Sequence, residues 1–218
     1  MTRHSDRDTE PAKDKASMSG NRLGFDLQHT HLQPQEATLL YAIVHATKPR
    51  HVFEVGSFQG GSAHIMAQAL IDAGQPPTPS TVIMIDPEPR ISPIHATFLA
   101  DKATIIAAGS PDAYQTLPRV TEGFGFAFID GDHAEAAVHA DLVAALPLLA
   151  PGAIVLCHDA AYGPTRRGID SAVLDGGFID CGDLVSSPVW TDQFEDGERV
   201  FWGGLRLLRR AGQQPLTR

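Results

Sequence analysis

The sequence predicts a doubly wound α/β fold, in which a mostly parallel seven-stranded sheet is covered by helices and finished by a C-terminal antiparallel hairpin. Three observations predict it. Short apolar runs rich in β-branched residues alternate with helix-length segments from His51 to Asp159. The first of these runs is followed by a glycine-rich turn, Gly56–Gly61. Ionisable residues collect where the runs end, and strand ends are where open α/β sheets bind ligands.

The elements follow in order. Residues 1–20 are polar and charged and read as a disordered tail, with Met18 as an alternative start; residues 21–218 read as one domain, ordered from about Leu23. Pro34–Thr47 is a helix, because Pro34 suits a first turn and Ala37, Leu40, Tyr41 and Val44 form an apolar stripe. His51–Val55 is the first strand and Ser62–Ala73 the helix after the glycine turn. Beyond the proline-rich loop Gln75–Ser80, Thr81–Ile85 is the second strand, ending at Asp86-Pro87. Ile94–Asp101 is helical, Thr104–Ala107 is the third strand and Pro111–Leu117 a short helix. Phe124–Ile129 is the fourth strand, Ala134–Leu146 a helix and Ala153–Cys157 the fifth strand. Gly163–Gly168 reads as a loop and Ile169–Leu174 as a short helix. Phe178–Val185 and Val200–Leu208, joined by the polar segment Thr191–Arg199, read as the terminal hairpin.

Composition narrows the function. The chain has 218 residues and a formal net charge of −9, with no Lys/Arg-rich run, so the basic face of a nucleic-acid binder is missing. No apolar run approaches the ~20 residues that span a bilayer, and no signal-peptide pattern stands at the N-terminus, so a cytoplasmic setting is expected. Cys157 and Cys181 lie in apolar strand-like segments and read as buried free thiols rather than a disulfide or zinc framework.

The strand ends carry the chemistry. In Glu54-Val55-Gly56-Ser57-Phe58-Gln59-Gly60-Gly61-Ser62 the glycines allow a tight turn, and the following helix presents free N–H groups. A dinucleotide fingerprint needs a small second glycine beside the pyrophosphate. Phe58 stands there, which disfavours NAD, and the spacing after Glu54 suits a nucleoside with a charged amino-acid tail. Asp86 is placed to accept the hydroxyls of a ribose, though an Asp at such a turn is equally a helix cap. Gly109-Ser110 follows the third strand, where the base would lie. The fourth strand ends in Asp130-Gly131-Asp132-His133 and the fifth in His158-Asp159, so five ionisable groups share one rim. Oxygen ligands from Asp130 and Asp159 suit Mg²⁺ or Ca²⁺, and a nitrogen from His158 shifts preference towards Mn²⁺, Fe²⁺ or Zn²⁺. His133, with its near-neutral intrinsic pKa, is a candidate proton acceptor. Tyr162, Arg166, Arg167, Trp190 and Trp202 are candidates for an acceptor wall, and His29 and His31 for a lid. His64, His95, His139 and Asp141 read as helix-packing or structural residues.

Taken together, Glu54-Val55-Gly56 through Ser62, Asp86-Pro87, Ile129–His133, Leu148–Gly152 and His158-Asp159 resemble the class I S-adenosylmethionine-dependent methyltransferases. Most similar are the metal-dependent O-methyltransferases of macrolide and other natural-product sugars, with catechol O-methyltransferase more distant. The resemblance covers roughly residues 51–159. It implies a Rossmann-like fold with S-adenosylmethionine on Glu54, Gly56, Ser57, Gly60, Gly61, Ser62, Asp86, Gly109 and Ser110, bordered by Asp130. It further implies a divalent cation, usually Mg²⁺, on Asp130 and Asp159, and a general base at His133, or at the position of Asp132 in some relatives. The residue before the last metal ligand is usually acidic in that family and is His158 here. The expected partner is a small-molecule acceptor, and a homo-oligomer is a possible assembly; neither nucleic acid nor membrane is expected. A metal-dependent hydrolase or phosphoesterase, and a non-catalytic cofactor-binding protein of the same fold, are the alternatives.

Overall fold

Four apolar runs without a polar break, apart from Glu54, become the central strands, because a strand buried on both faces has no solvent side to mark with polar residues. In the computed structural model, which describes residues 30–212 except 196 and 197, these are β1 (Val52–Val55), β2 (Val82–Ile85), β4 (Phe124–Ile129) and β5 (Leu149–Cys157). The more exposed β3 (Ala103–Ile106) lies at one edge of the sheet. The predicted tail, the start of order near Leu23, and His29 lie outside the described residues.

Strand order is β3-β2-β1-β4-β5-β9-β6, with β6 at Phe178–Val185 and β9 at Leu205–Arg210. The first five strands are parallel, and β9 runs antiparallel to both β5 and β6. The order reverses between β1 and β4, the switch point at which such sheets bind ligands. Alternation along the strands divides the core. Phe53, Val55, Ile83, Ile85, Ala127 and Ile129 face α4 (Glu135–Ala145) and α5 (Gly163–Leu174). Val52, Met84, Phe126 and Phe128 pack in a second cluster with α1 (Pro34–Thr47) and α2 (Gly61–Asp72). Each fully buried Phe, Leu or Ile contributes about 1.5–3 kcal/mol. A short helix α3 (Pro93–Leu99) follows β2, and Asp112–Thr116 forms a 3₁₀ turn where a short helix was expected.

Three expectations change. The predicted loop Gly163–Gly168 is the first half of α5: Pro164 occupies its first turn, where a missing N–H costs nothing. Gly168 is there because α4 passes close; a Cβ would lie 2.6 Å from the Glu135 carbonyl oxygen. The predicted strand Val200–Leu208 is broken at Gly203-Gly204, both at positive φ, into β8 (Glu198–Trp202) and β9. β9 enters the main sheet, while β8 pairs with β7 (Val189–Glu195) in a separate antiparallel ribbon that contains most of the polar segment 191–199. Thirdly, Cys157 is buried but Cys181, on the edge strand β6, is exposed. Among the described residues no helix is long and apolar enough to cross a membrane.

Candidate active site

The carboxyl ends of β1–β5 surround a cavity of about 800 Å³, within the range of small-molecule sites. Its two ends are built differently.

At the β1–β3 end the backbone makes the wall. Gly56 (φ +85°) presses against β4 so closely that a Cβ would lie 1.8 Å from the Asp130 carbonyl oxygen. Gly60 (φ +86°) caps α2, and Gly61 and Ser62 open that helix. Beneath the loop, Glu54 is fully buried; its Oε1 accepts the Ser62 hydroxyl, and its Oε2 has no partner among the described residues. Burial pushes its pKa up to about 8, opposed by the Ser62 hydroxyl and reinforced by Asp130 and Asp86. Ser57 is buried beside it. Asp86 lines the cavity, and its two oxygens accept the N–H groups of Phe58 (2.8 Å) and Glu88 (2.7 Å). The Asp is therefore a turn-holder as well as a candidate ribose acceptor, since each carboxylate oxygen can accept twice. Phe58, at φ +38°, stands edge-on to His31 at 4.9 Å, and both line the cavity. Gly109 and Ser110 complete this end. The Ser110 hydroxyl donates to Asp141 (3.0 Å), a buried carboxylate whose pKa burial raises to about 6, opposed by that same hydrogen bond.

At the β4–β5 end side chains make the wall. Asp130, His133 and Asp159 bring one ligand atom each to within 4.8 Å of one another. His133 Nε2 is 2.9 Å from Asp159 Oδ2 and 3.9 Å from Asp130 Oδ1. The closer contact has ion-pair distance without hydrogen-bond alignment, since this nitrogen has no properly directed partner. Burial opposes charging of the ring, but Asp130 and Asp159 outweigh it and hold the His133 pKa at about 9. Asp159 has left-handed backbone (φ +50°), tolerated by Asp and concentrated at functional positions. Burial would raise its carboxyl pKa, yet His133, His158 and the Gly203 N–H hold it well below the usual range. Asp132 is exposed and its Oδ1 accepts the Ala134 N–H (2.9 Å), which steadies the turn into α4. The Trp202 ring lies 4.8 Å from that of His133 and 5.9 Å from that of the buried Tyr162.

His158 stands behind this trio. Its Nδ1 is 2.9 Å from Asp130 Oδ1 and its Nε2 is 3.0 Å from Glu36 Oε2. Burial opposes its charging, but the surrounding carboxylates raise its pKa well above the ordinary value. With both ring nitrogens facing carboxylates it has no lone pair to offer a cation, so it supports Asp130 rather than joining the ligand set expected for it. His133 Nε2 is the nitrogen nearest the two carboxylates instead, able to serve as a ligand or as a proton acceptor but not as both. Two carboxylates on a shared wall fit a hard divalent cation, the imidazole beside them suits a base, and the excess of carboxylates suits a sulfonium-bearing cofactor.

Other candidates fall elsewhere. Arg166 pairs with Asp183 and Arg167 with Glu135 on the surface; the side chain of Trp190 lies outside the described residues. His64 and His95 meet between α2 and α3 with Nδ1 atoms 2.8 Å apart, as packing residues. Glu36 and Gly203 are the contributors that motif reading missed. A capping-box Glu on α1 carries no local sign that it will reach the ends of β4 and β5.

Comparison with known proteins matches this fold. A family model described as a methyltransferase domain covers residues 53–160. Similar solved structures include an O-methyltransferase from Bacillus cereus in complex with S-adenosylhomocysteine, at 17% identity, 84% coverage of both chains and TM-score 0.60. Another is the O-methyltransferase TomG from Streptomyces achromogenes, involved in tomaymycin synthesis and solved with S-adenosylmethionine, at 18% identity, 83% and 82% coverage and TM-score 0.59. A third is precorrin-6y C5,15-methyltransferase from Geobacter metallireducens, at 10% identity, 88% and 95% coverage and TM-score 0.61. At such identities the likeness is one of fold. No curated protein matches the chain.

Proposed function

Because the chain belongs to the methyltransferase-domain family, we propose that it moves the methyl group of S-adenosylmethionine to a hydroxyl oxygen of a small molecule. The acceptor class is a natural-product sugar, a diol or a similar two-oxygen ligand, and a divalent cation, Mg²⁺ or Mn²⁺, is held by Asp130 and Asp159. One observation carries the reading: Asp130, His133 and Asp159 converge on the wall of the same cavity that Gly56 and Asp86 line. The family match decides against the hydrolase alternative.

When bound, the cofactor supplies a methyl group already activated on sulfur, and the cation lowers the pKa of the acceptor hydroxyl. The residues of the chain do the rest. Gly56 lets the backbone approach the nucleoside, and Asp86 accepts from its ribose. Trp202 lines the cavity beside His133 and screens the reacting oxygen from water, with the buried Tyr162 packed behind it. His133 Nε2 would accept the hydroxyl proton, lying beside the cation as a base and not on it as a ligand, and a cation held by Asp130 and Asp159 would offset the negative charge that now favours the protonated ring. Alignment of oxygen and methyl group supplies up to ~7–11 kcal/mol in well-oriented systems, and the base a further ~10²–10⁴ in rate.

The test is methyl transfer from isotopically labelled S-adenosylmethionine to a panel of hydroxylated metabolites, read by mass spectrometry with and without EDTA. We expect transfer that EDTA abolishes and Mg²⁺ or Mn²⁺ restores. Full activity in EDTA would remove the cation and leave Asp130 and Asp159 as acceptor-orienting groups. Cofactor binding without transfer to any acceptor would favour the non-catalytic alternative.

A further inference from the structure

We propose that Glu36 is the positioning residue for both carboxylates of the site, aiming Asp130 through His158 and Asp159 through the Gly203-Gly204 turn. The inference rests on the cation-assisted reading above and extends it to a residue outside the matched segment 53–160. Glu36 is completely buried on α1. A buried carboxylate is costly unless its oxygens are occupied, and those of Glu36 are fully used. Oε2 accepts the Gln33 backbone N–H (2.8 Å) and faces His158 Nε2 (3.0 Å). Oε1 accepts the Gly204 N–H (2.7 Å) and, more weakly, the Gln33 side-chain amide (3.4 Å).

The two Gln33 contacts are local, and the backbone one is half of the capping box that starts α1. That task is local and can be performed at the helix surface, so it does not explain the other two contacts, which reach 122 and 168 residues along the chain. Each of these leads, through one intermediate group, to a candidate metal ligand. His158 passes its other nitrogen to Asp130 Oδ1 at 2.9 Å. The turn held at Gly204 gives its preceding N–H, that of Gly203, to Asp159 Oδ1. The turn is fitted to Glu36: a Cβ at Gly203 would lie 2.4 Å from the Gln33 amide nitrogen and 3.1 Å from Glu36 Oε1. One carboxylate thus fixes both ligand-bearing carboxylates, Asp130 through His158 and Asp159 through the turn and through the same His158 Nδ1 at 3.2 Å, and such supporting partners govern affinity and geometry at metal sites.

The test uses the full chain, with Mn²⁺ alone and S-adenosylhomocysteine alone as calorimetric probes. Glu36→Gln should weaken Mn²⁺ binding about 10–100-fold while leaving S-adenosylhomocysteine affinity unchanged. Leu40→Ala is the control, because it loosens the packing of α1 without removing any hydrogen bond of Glu36, and it should leave Mn²⁺ affinity as in wild type. Glu36→Asp, a smaller disturbance, reads the same quantity if Glu36→Gln fails to fold. Wild-type Mn²⁺ affinity in the Glu36 variants, or an equal loss in Leu40→Ala, would overturn the proposal. If the wild-type chain itself binds no Mn²⁺, the cation reading fails separately. Crystal structures of wild type and the Glu36 variant then decide the inference: displaced Asp130 and Asp159 carboxylates support it, and unmoved ones overturn it.

Discussion

The two ends of the cavity hold their charges in opposite ways. At the β1–β3 end, no basic group among the described residues offsets the burial of the carboxylates. Burial raises Glu54 to about 8 and Asp141 to about 6, with single hydroxyls as their principal support. At the β4–β5 end, two histidines stand among Asp130, Asp159 and Glu36, and they hold Asp159 well below the usual carboxylate range. The first end is shaped by glycines and short-range turns, the second by side chains drawn from distant segments. The difference teaches a division of labour: the backbone end provides shape for a cofactor, and the charged end provides reactivity. Substitutions at the first should therefore change binding and stability, and substitutions at the second should change rate.

The largest effect that would sharpen this division is expected at Gly56. Gly56→Ala places a Cβ against the Asp130 carbonyl and forces an L residue to φ +85°. Strain of that kind costs about 1–3 kcal/mol, and overpacking about 1–3 kcal/mol more. Urea unfolding should register the combined loss, and S-adenosylhomocysteine binding should vanish. A variant of wild-type stability would break the claim that this wall is fixed by backbone contact. Next comes His133→Ala, which should slow transfer by about 10²–10⁴ with cofactor affinity intact. If affinity falls in parallel with rate, the two ends do not divide binding from chemistry, and full activity would pass the role of base to Asp132.

Asp86→Ala should weaken S-adenosylmethionine by about 1–3 kcal/mol in calorimetry and also lower stability, because the Phe58 and Glu88 N–H groups lose their acceptor. Unchanged affinity would leave Asp86 as the holder of the Phe58 turn alone. The companion expectation is that NAD produces no thermal shift, because Phe58 stands where a pyrophosphate would need glycine.

The same contrast explains what could be read from sequence. The β1–β3 end is written in consecutive residues: Gly56–Ser62 form one turn, and Asp86 follows its strand directly. The five parallel strands and the candidates Asp130, His133 and Asp159 were legible because strand ends in this fold meet by topology. The rest was not, because it depends on tertiary contact. Glu36 looks like an ordinary capping-box residue until α1 packs beside His158. The break at Gly203-Gly204 resembles a bulge within one strand, and only the fold reveals two strands belonging to different sheets. Gly168 resembles a loop residue because its purpose, close approach of α5 to α4, lies outside its own segment.

The smallest effect tests the β1–β3 end through its pH dependence. Asp141 has its pKa raised from 3.8 to about 6 in the folded chain. Between those values the folded protein keeps a proton that the unfolded chain has released, so stability falls as pH rises through this window and the penalty is complete above about 6. Ser110 limits that penalty by donating to the ionised carboxylate. Ser110→Ala should therefore cost about 0.5–1.5 kcal/mol at pH 7, and less at pH 5, where the folded Asp141 is largely protonated and gains little from the hydroxyl. Chemical denaturation of both proteins at the two pH values measures the difference directly. Asp159 predicts the reverse behaviour at the other end of the cavity, with stability lost as pH falls below the ordinary carboxylate range. If Ser110→Ala costs as much at pH 5 as at pH 7, the hydroxyl is filling space rather than supporting a charge. The two ends would then no longer differ in how they tolerate buried carboxylates.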